Sequence, residues 1–389
     1  MKEISLLITL TLFANLGFGQ TSEVKVPMQE KYWEFPEGTV TFLEHKSVPA
    51  MKILPDAGKV VAKDIEFTTG TIEFDLEVDV FPFVGISFHR HNQMEEEWFY
   101  FRPYTAGNQQ AFDAIQYTPI VKGISLWDLY PQYQGPADFQ KNQWIHIQLV
   151  IGTYQMHAYV NESEQPTLRI PFLEGNYKTG GIAFDGEAIF ANLVIRHGIT
   201  EGLPETAGPD PTANDSRYIR NWEVTEPTSF PMGREVYTDP ISGFPESPGV
   251  IDSDITDKET EWTPLKAERE GLVNLSREFG RVGDGRIMPR RIVWLKTTIQ
   301  SAKEQTRKLS LGFSDEVWVL INGQLLYVDK NYYQRPIMKI PRGRCSIENT
   351  TIDVPLQEGD NEIMIGVGNF FWGWGVVARW DGLEDIILQ

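Results

Sequence analysis

Cysteine is all but missing from this 389-residue chain, with Cys345 the single example. No intrachain disulfide can form, so stability has to come from burial. Positive charge is scarce too: 35 Lys and Arg stand against 54 Asp and Glu, a formal net charge of −19. A surface that acidic repels phosphate backbones and anionic lipid, which argues against nucleic acid as a partner and for neutral ligands. The apolar run at the start, Ile4 to Phe18, is interrupted by small polar residues and followed by no basic stop signal. It falls short of the roughly twenty residues a membrane helix needs, so membrane insertion is not expected. Helical periodicity is nearly absent, the best stretch being Leu265 to Leu275. No Gly-x-Ser-x-Gly elbow, His-Glu-x-x-His pair or phosphate loop occurs, which removes three common catalytic signatures.

The opening Met1-Lys2-Glu3, the apolar stretch and the small-residue exit at Gly19-Gln20 read as a secretory signal peptide over residues 1–20. No cysteine stands at that exit, so a lipid anchor is not expected, and the remainder should be periplasmic or secreted. That remainder is long enough for two cores. Alternation such as Thr71-Ile72-Glu73-Phe74-Asp75-Leu76-Glu77-Val78 and Trp144-Ile145-His146-Ile147-Gln148-Leu149-Val150 recurs throughout. A period of two puts one face of each run in a core, which predicts an all-β protein of two jelly-roll β-sandwich domains in tandem. Between them, residues 199–214 are rich in Pro and Gly without periodicity and read as a linker. The domains are thus 21–198 and 215–389.

In the first domain, strand signals fall at 39–43, 59–62, 70–79, 84–91, 97–103, 114–118, 144–151, 155–160, 181–184 and 188–196. The series Gly70-Thr71-Ile72-Glu73-Phe74-Asp75, Gly85-Ile86-Ser87-Phe88, Asn142-Gln143-Trp144-Ile145-His146, Ala158-Tyr159-Val160-Asn161, Gly180-Gly181-Ile182-Ala183-Phe184 and Phe190 to Ile195 resembles the concanavalin A-like lectin/glucanase superfamily. The likeness is to its laminin-G-like and 3-keto-disaccharide hydrolase-like members. It covers most of residues 30–197 and implies a sandwich that meets carbohydrate. Fold alone does not set activity.

Four constellations here carry candidate chemistry. Glu73, Asp75 and Glu77 share one strand face and echo the E-x-D-x-E strand of family 16 glucanases. That likeness implies Glu73 and Glu77 as nucleophile and acid/base, which would require them to lean to roughly 5 Å apart. The alternative is the solvent face of an ordinary strand. His89-Arg90-His91 with Glu95-Glu96-Glu97 has the letters of a metal site and equally those of a polar hairpin tip; no metal is assigned. Arg90 is the better ligand-facing residue of that group. His89 and Asp113 are the acid/base candidates for keto-sugar chemistry. Third, alternation puts Tyr100 and Arg102 on one face and Phe99 and Phe101 on the other, while Asp113, Ile115 and Tyr117 share a face. Aromatic rings stack on sugar rings, and Arg, Asp and Gln reach hydroxyls, so Arg102, Asp113, Gln116 and Tyr117 are candidate groove residues. Last, the aromatic connector from Tyr117 to Ala137, with Trp127, is a candidate groove wall.

In the second domain, Leu309 to Gly323 and Leu356 to Val367 are similar to the galactose-binding-like jelly roll, including the sugar-binding domain of family 2 glycosidases. Asn322-Gly323 is a hairpin turn on backbone grounds, because both residues tolerate positive φ. Asn369-Phe370-Phe371-Trp372-Gly373-Trp374-Gly375 offers Trp372 and Trp374 as a sugar platform or as core. Asp252, Asp254 and Asp257 resemble a calcium loop but lack the Gly and terminal Glu of an EF-hand, so no cofactor is assigned. The leading expectation is an exported protein that binds neutral glycan in a groove of the first sandwich. The rivals are a glycoside hydrolase or 3-keto-sugar hydrolase or lyase on the same scaffold, and a structural or adhesion module.

Overall fold

The computed structural model describes residues 23–79, 83–229, 260–280, 290–334 and 336–388. The expected leader at 1–20 and the loop carrying Asp252, Asp254 and Asp257 lie outside those residues. No helix among the described residues is long and apolar enough to cross a membrane.

The chain is all-β, with two sandwiches of jelly-roll type in tandem, as the alternation predicts. In the first, one eight-stranded sheet runs in the order Leu168–Ile170, Met156–Val160, Trp144–Ile151, Gly70–Val78, Ala188–His197, Val48–Ile53, Val40–His45, with Glu23–Val26 added beside Ala188–His197. The facing eight-stranded sheet runs Ile124–Ser125, Ile115–Val121, Glu95–Phe101, Val84–Asn92, Gly181–Asp185, Val60–Ala62, Trp33–Glu34, with Gln134–Gly135 also on Ile115–Val121. The second sandwich sets an eight-stranded sheet centred on Arg291–Ser301 and Gly359–Gly368 against a four-stranded sheet, Leu272–Asn274, Gly375–Trp380, Gln305–Ser314, Thr350–Leu356. Asn322-Gly323 turns its hairpin with both φ angles positive, 49° and 76°, and pairs Ile321 with Gln324, the geometry a two-residue hairpin demands.

Three features depart from the sequence expectation. The helix falls at Leu275–Phe279 rather than 265–275: Glu270 and Gly271 both take positive φ and break the chain into short strands, and the Asn274 side chain caps the first turn by accepting from the Arg277 N–H. The connector from 117 to 137 starts within the strand Ile115–Val121 and adds two short strands, at Ile124–Ser125 and Gln134–Gly135. Residues 199–214 form turns pinned at the start, where Thr71 Oγ1 donates to the Ile199 carbonyl (2.7 Å), and midway, where Arg269 donates to that of Gly208 (3.0 Å).

The two cores are not insulated from each other. Tyr218, Leu272, Cys345 and Val377 of the later half pack into the apolar cluster of the first sandwich. Around them the Cys345 N–H donates to the Asp128 carbonyl at 2.8 Å, Tyr130 to Glu268 at 3.0 Å and Arg277 to the Glu174 carbonyl at 2.7 Å.

Candidate functional site

The strand Glu95–Phe101 shows how the site arises. Phe99 and Phe101 enter the first core, so Trp98, Tyr100 and, at the strand's end, Arg102 must lie on the opposite face. A run of four aromatics, Trp98 to Phe101, would leave large rings in water on that face. It is instead covered by the second sandwich, and the space between is a cavity of about 380 Å³. From the first half it is lined by Phe83, Trp98, Tyr100, Arg102, Tyr104, Ser125 and Trp127, and from the second by Tyr333, Gln334, Phe371 and Trp372. Trp98 and Tyr100 stack at 4.1 Å, and Trp127 meets Tyr333 edge-on at 4.9 Å.

The polar floor is a hydrogen-bonded network. Gln116 lies opposite Tyr100 in the strand register, and its Oε1 accepts from the Tyr100 hydroxyl at 2.8 Å and from Arg102 at 2.5 Å. Its amide donates to the Trp127 carbonyl at 2.6 Å, tying the connector to the sheet. Arg102 also donates to the Asp113 carbonyl, 2.5 Å away. Burial, opposed by nearby Arg102, lifts the Tyr104 phenol to about 12, so it stays a neutral hydroxyl at the mouth.

The far wall is held by two buried carboxyl groups that no sequence pattern singled out. Asp315 accepts from the N–H groups of Phe370 and Phe371, both at 2.6 Å, and Asp128 from that of Gly373 at 3.0 Å. Between them Trp372 is held at φ 56°, a conformation costly for a bulky side chain. Gly373 is required here, since a Cβ would come within 2.2 Å of Asp128 Oδ1. Burial raises the Asp128 carboxyl to about 7, against donation by its own backbone N–H and Gly373. Burial also raises Asp315 well above the carboxylate range, and the neighbouring charge of Asp128 adds to the effect.

Of the residues singled out from sequence, Tyr100, Arg102, Gln116, Trp127 and Trp372 meet at this cavity, with Asp113 at its margin. Tyr117 is turned into the core, where its hydroxyl donates to Glu97 at 2.5 Å. It lies across from Phe99, which fixes it on the inner face. Trp374 is likewise core, its indole N–H donating to the Val367 carbonyl. Arg90 pairs with Glu96 at 3.2 Å. His89 is buried beside Phe67, with Nε2 2.7 Å from the Thr68 carbonyl, and burial lowers it to about 4, so it is neutral. His91 stacks on Tyr177 at 4.4 Å. Among the described residues no three His, Cys, Asp or Glu side chains are grouped to hold a metal.

Glu73 and Glu77 stand on the other sheet and are not brought together. Glu73 pairs with Arg196, Asp75 with His146 at 2.8 Å, and Glu77 with Lys46 at 2.7 Å and His45 at 3.1 Å. Burial would raise Asp75 and Glu77, but those hydrogen bonds outweigh it and hold both below the usual range. A general acid needs the opposite shift.

Neither a family model nor a curated protein matches the chain. Among solved structures it is similar to the carbohydrate binding module CBM66 from Bacillus subtilis, at 9% identity and TM-score 0.28 over 43% of this chain and 92% of that one. A protein of unknown function with a galectin-like fold, also from Bacillus subtilis, matches at 11% and TM-score 0.32, over 45% and 94%. Domain 4 of a GH43 extracellular arabinanase from Geobacillus stearothermophilus, in complex with arabinotriose, matches at 10% and TM-score 0.30, over 47% and 85%.

Proposed function

We propose that this chain is an exported carbohydrate-binding protein and that its ligand sits in the cavity between the two sandwiches. One observation carries the reading: aromatic rings from both halves wall a space whose floor is the Tyr100, Arg102 and Gln116 network. Rings such as Trp98 and Trp372 offer flat apolar faces to the C–H face of a sugar, while the floor offers fixed donors and acceptors to its hydroxyls. The volume sits at the low end of the small-molecule range, which suits a mono- or disaccharide unit or the end of a chain. A neutral glycan is what the net charge of the whole molecule favours. Binding rather than cleavage is supported by the lining itself, which among the described residues includes no carboxylate. The test is a glycan screen of the protein with mass analysis of every hit. Binding without product is the expected result, and conversion of a bound glycan would make this an enzyme.

A further inference from the structure

We infer that the sugar unit taken by the cavity carries a carboxylate, as a uronic acid does, and that Arg102 binds it; this rests on the carbohydrate reading above. Arg102 is only 2% exposed, yet each of its hydrogen bonds goes to a neutral acceptor: the Asp113 carbonyl, Gln116 Oε1 and the Tyr100 hydroxyl. Among the described residues it makes no ion pair. Its guanidinium lies 5.0 Å from the Tyr100 ring centre and 5.6 Å from that of Phe83, within cation–π range of both. Those three bonds use three of the five N–H donors of the group and leave two for a ligand.

A second cation stands behind it. Arg344 is fully buried against the Trp127 ring at 4.9 Å, and its nearest described carboxylate oxygen is on Asp113, at 3.7 Å. Two guanidinium groups thus share Asp113. Asp128 also faces Arg344, but it retains its proton up to about neutrality and supplies only part of a charge there. Two guanidinium charges against Asp113 and a fraction of a charge on Asp128 leave a net positive surplus, smaller than one full charge, at the floor of the aromatic cavity. A buried charge of that kind is unfavourable until an opposite charge joins it, and a carboxylate matches the guanidinium fork in shape as well as sign. Ser125 adds an independent sign of a ligand: its hydroxyl is buried, lines the same cavity and has no partner among the described residues.

The charge of −19 on the whole chain argues the other way and is outweighed locally. Exposed charges are screened beyond about 8 Å at physiological ionic strength, whereas a buried pair is not. The acid surface slows the approach of an anion; the cavity decides how long it stays.

The experiment titrates the full chain by calorimetry with methyl glycosides in matched pairs that differ only at C6: glucuronoside against glucoside, galacturonoside against galactoside, mannuronoside against mannoside. The methyl ester of each acid is the uncharged control. In one pair or more the acid should bind at least about tenfold tighter than its neutral partner and its ester, the size expected of a charge-assisted bidentate contact, and R102Q should erase that advantage. If R102Q fails to fold, R102K decides instead: it keeps the charge but loses the planar fork, so it must cut affinity for the acid several-fold while that for the ester holds. A neutral hexoside that binds as tightly as its acid, or an acid advantage that survives in folded R102Q, overturns the inference and leaves the carbohydrate reading intact. No binding by any sugar overturns both.

Discussion

Trp372 and Trp374 stand two residues apart and have opposite fates. Trp372 is 41% exposed on the cavity wall, while Trp374 is 1% exposed in the second core with its indole N–H bonded. W374A should therefore destabilise the protein by about 3–5 kcal/mol, the range for removing a buried aromatic side chain. W372A should leave stability nearly unchanged and weaken glycan binding by roughly five- to tenfold, the value of about 1 kcal/mol for one ring contact. Urea unfolding and affinity measurement on the two variants check this, and equal destabilisation by both would contradict it. The sequence named both tryptophans without separating them, because glycines on either side remove the alternation that would reveal the faces. Alternation did place Tyr100 and Arg102 opposite Phe99 and Phe101. It mis-set Tyr117, since a strand with apolar residues on both faces does not reveal which face is the core.

At the level of the element, the segment 370–373 is presented by carboxyls that come from far away in the chain. Gly373 and Asp128 are separated by 245 positions, which is why no local motif could have found them. Their protonation gives the fold a pH signature. Asp128 is held at about 7 in the folded protein against roughly 4 when unfolded. The folded state therefore binds its proton more tightly, so the contribution is complete below about pH 4 and is lost as pH rises toward 7. Asp315, and Glu174 lifted by burial to about 8, act in the same direction. Asp215, held at about 2 by its hydrogen bonds with Arg217, acts in the opposite direction and loses its contribution only as pH falls below about 4. D128N keeps an oxygen for the Gly373 N–H and removes the titration, so its urea midpoint should decline less than the native one between pH 4.5 and about 7.5. Superposed profiles would show that Asp128 does not titrate in that window.

For the molecule as a whole, two sandwiches in tandem were legible from periodicity and turn residues, down to the Asn322-Gly323 hairpin. What the sequence did not reveal is that they share a core edge and a cavity, because that packing joins segments such as Tyr100 and Phe371 with no common pattern. Four residues of the later half sit in the first apolar cluster, and hydrogen bonds such as Arg344 to Gln134, at 3.0 Å, cross between the halves. Burying those groups couples the two sandwiches, so calorimetry should show one main unfolding transition, raised in temperature by a bound sugar. Two well-separated transitions, with sugar moving neither or only one, would contradict the shared site.

The central claim, that sugar binds between the sandwiches, is tested most directly by tryptophan fluorescence. Trp98, Trp127 and Trp372 all line the cavity, so a saturable change in emission on adding a glycan, lost or much weakened in folded W372A, is the result expected. Silence with every glycan, or a response unchanged in W372A, would contradict it.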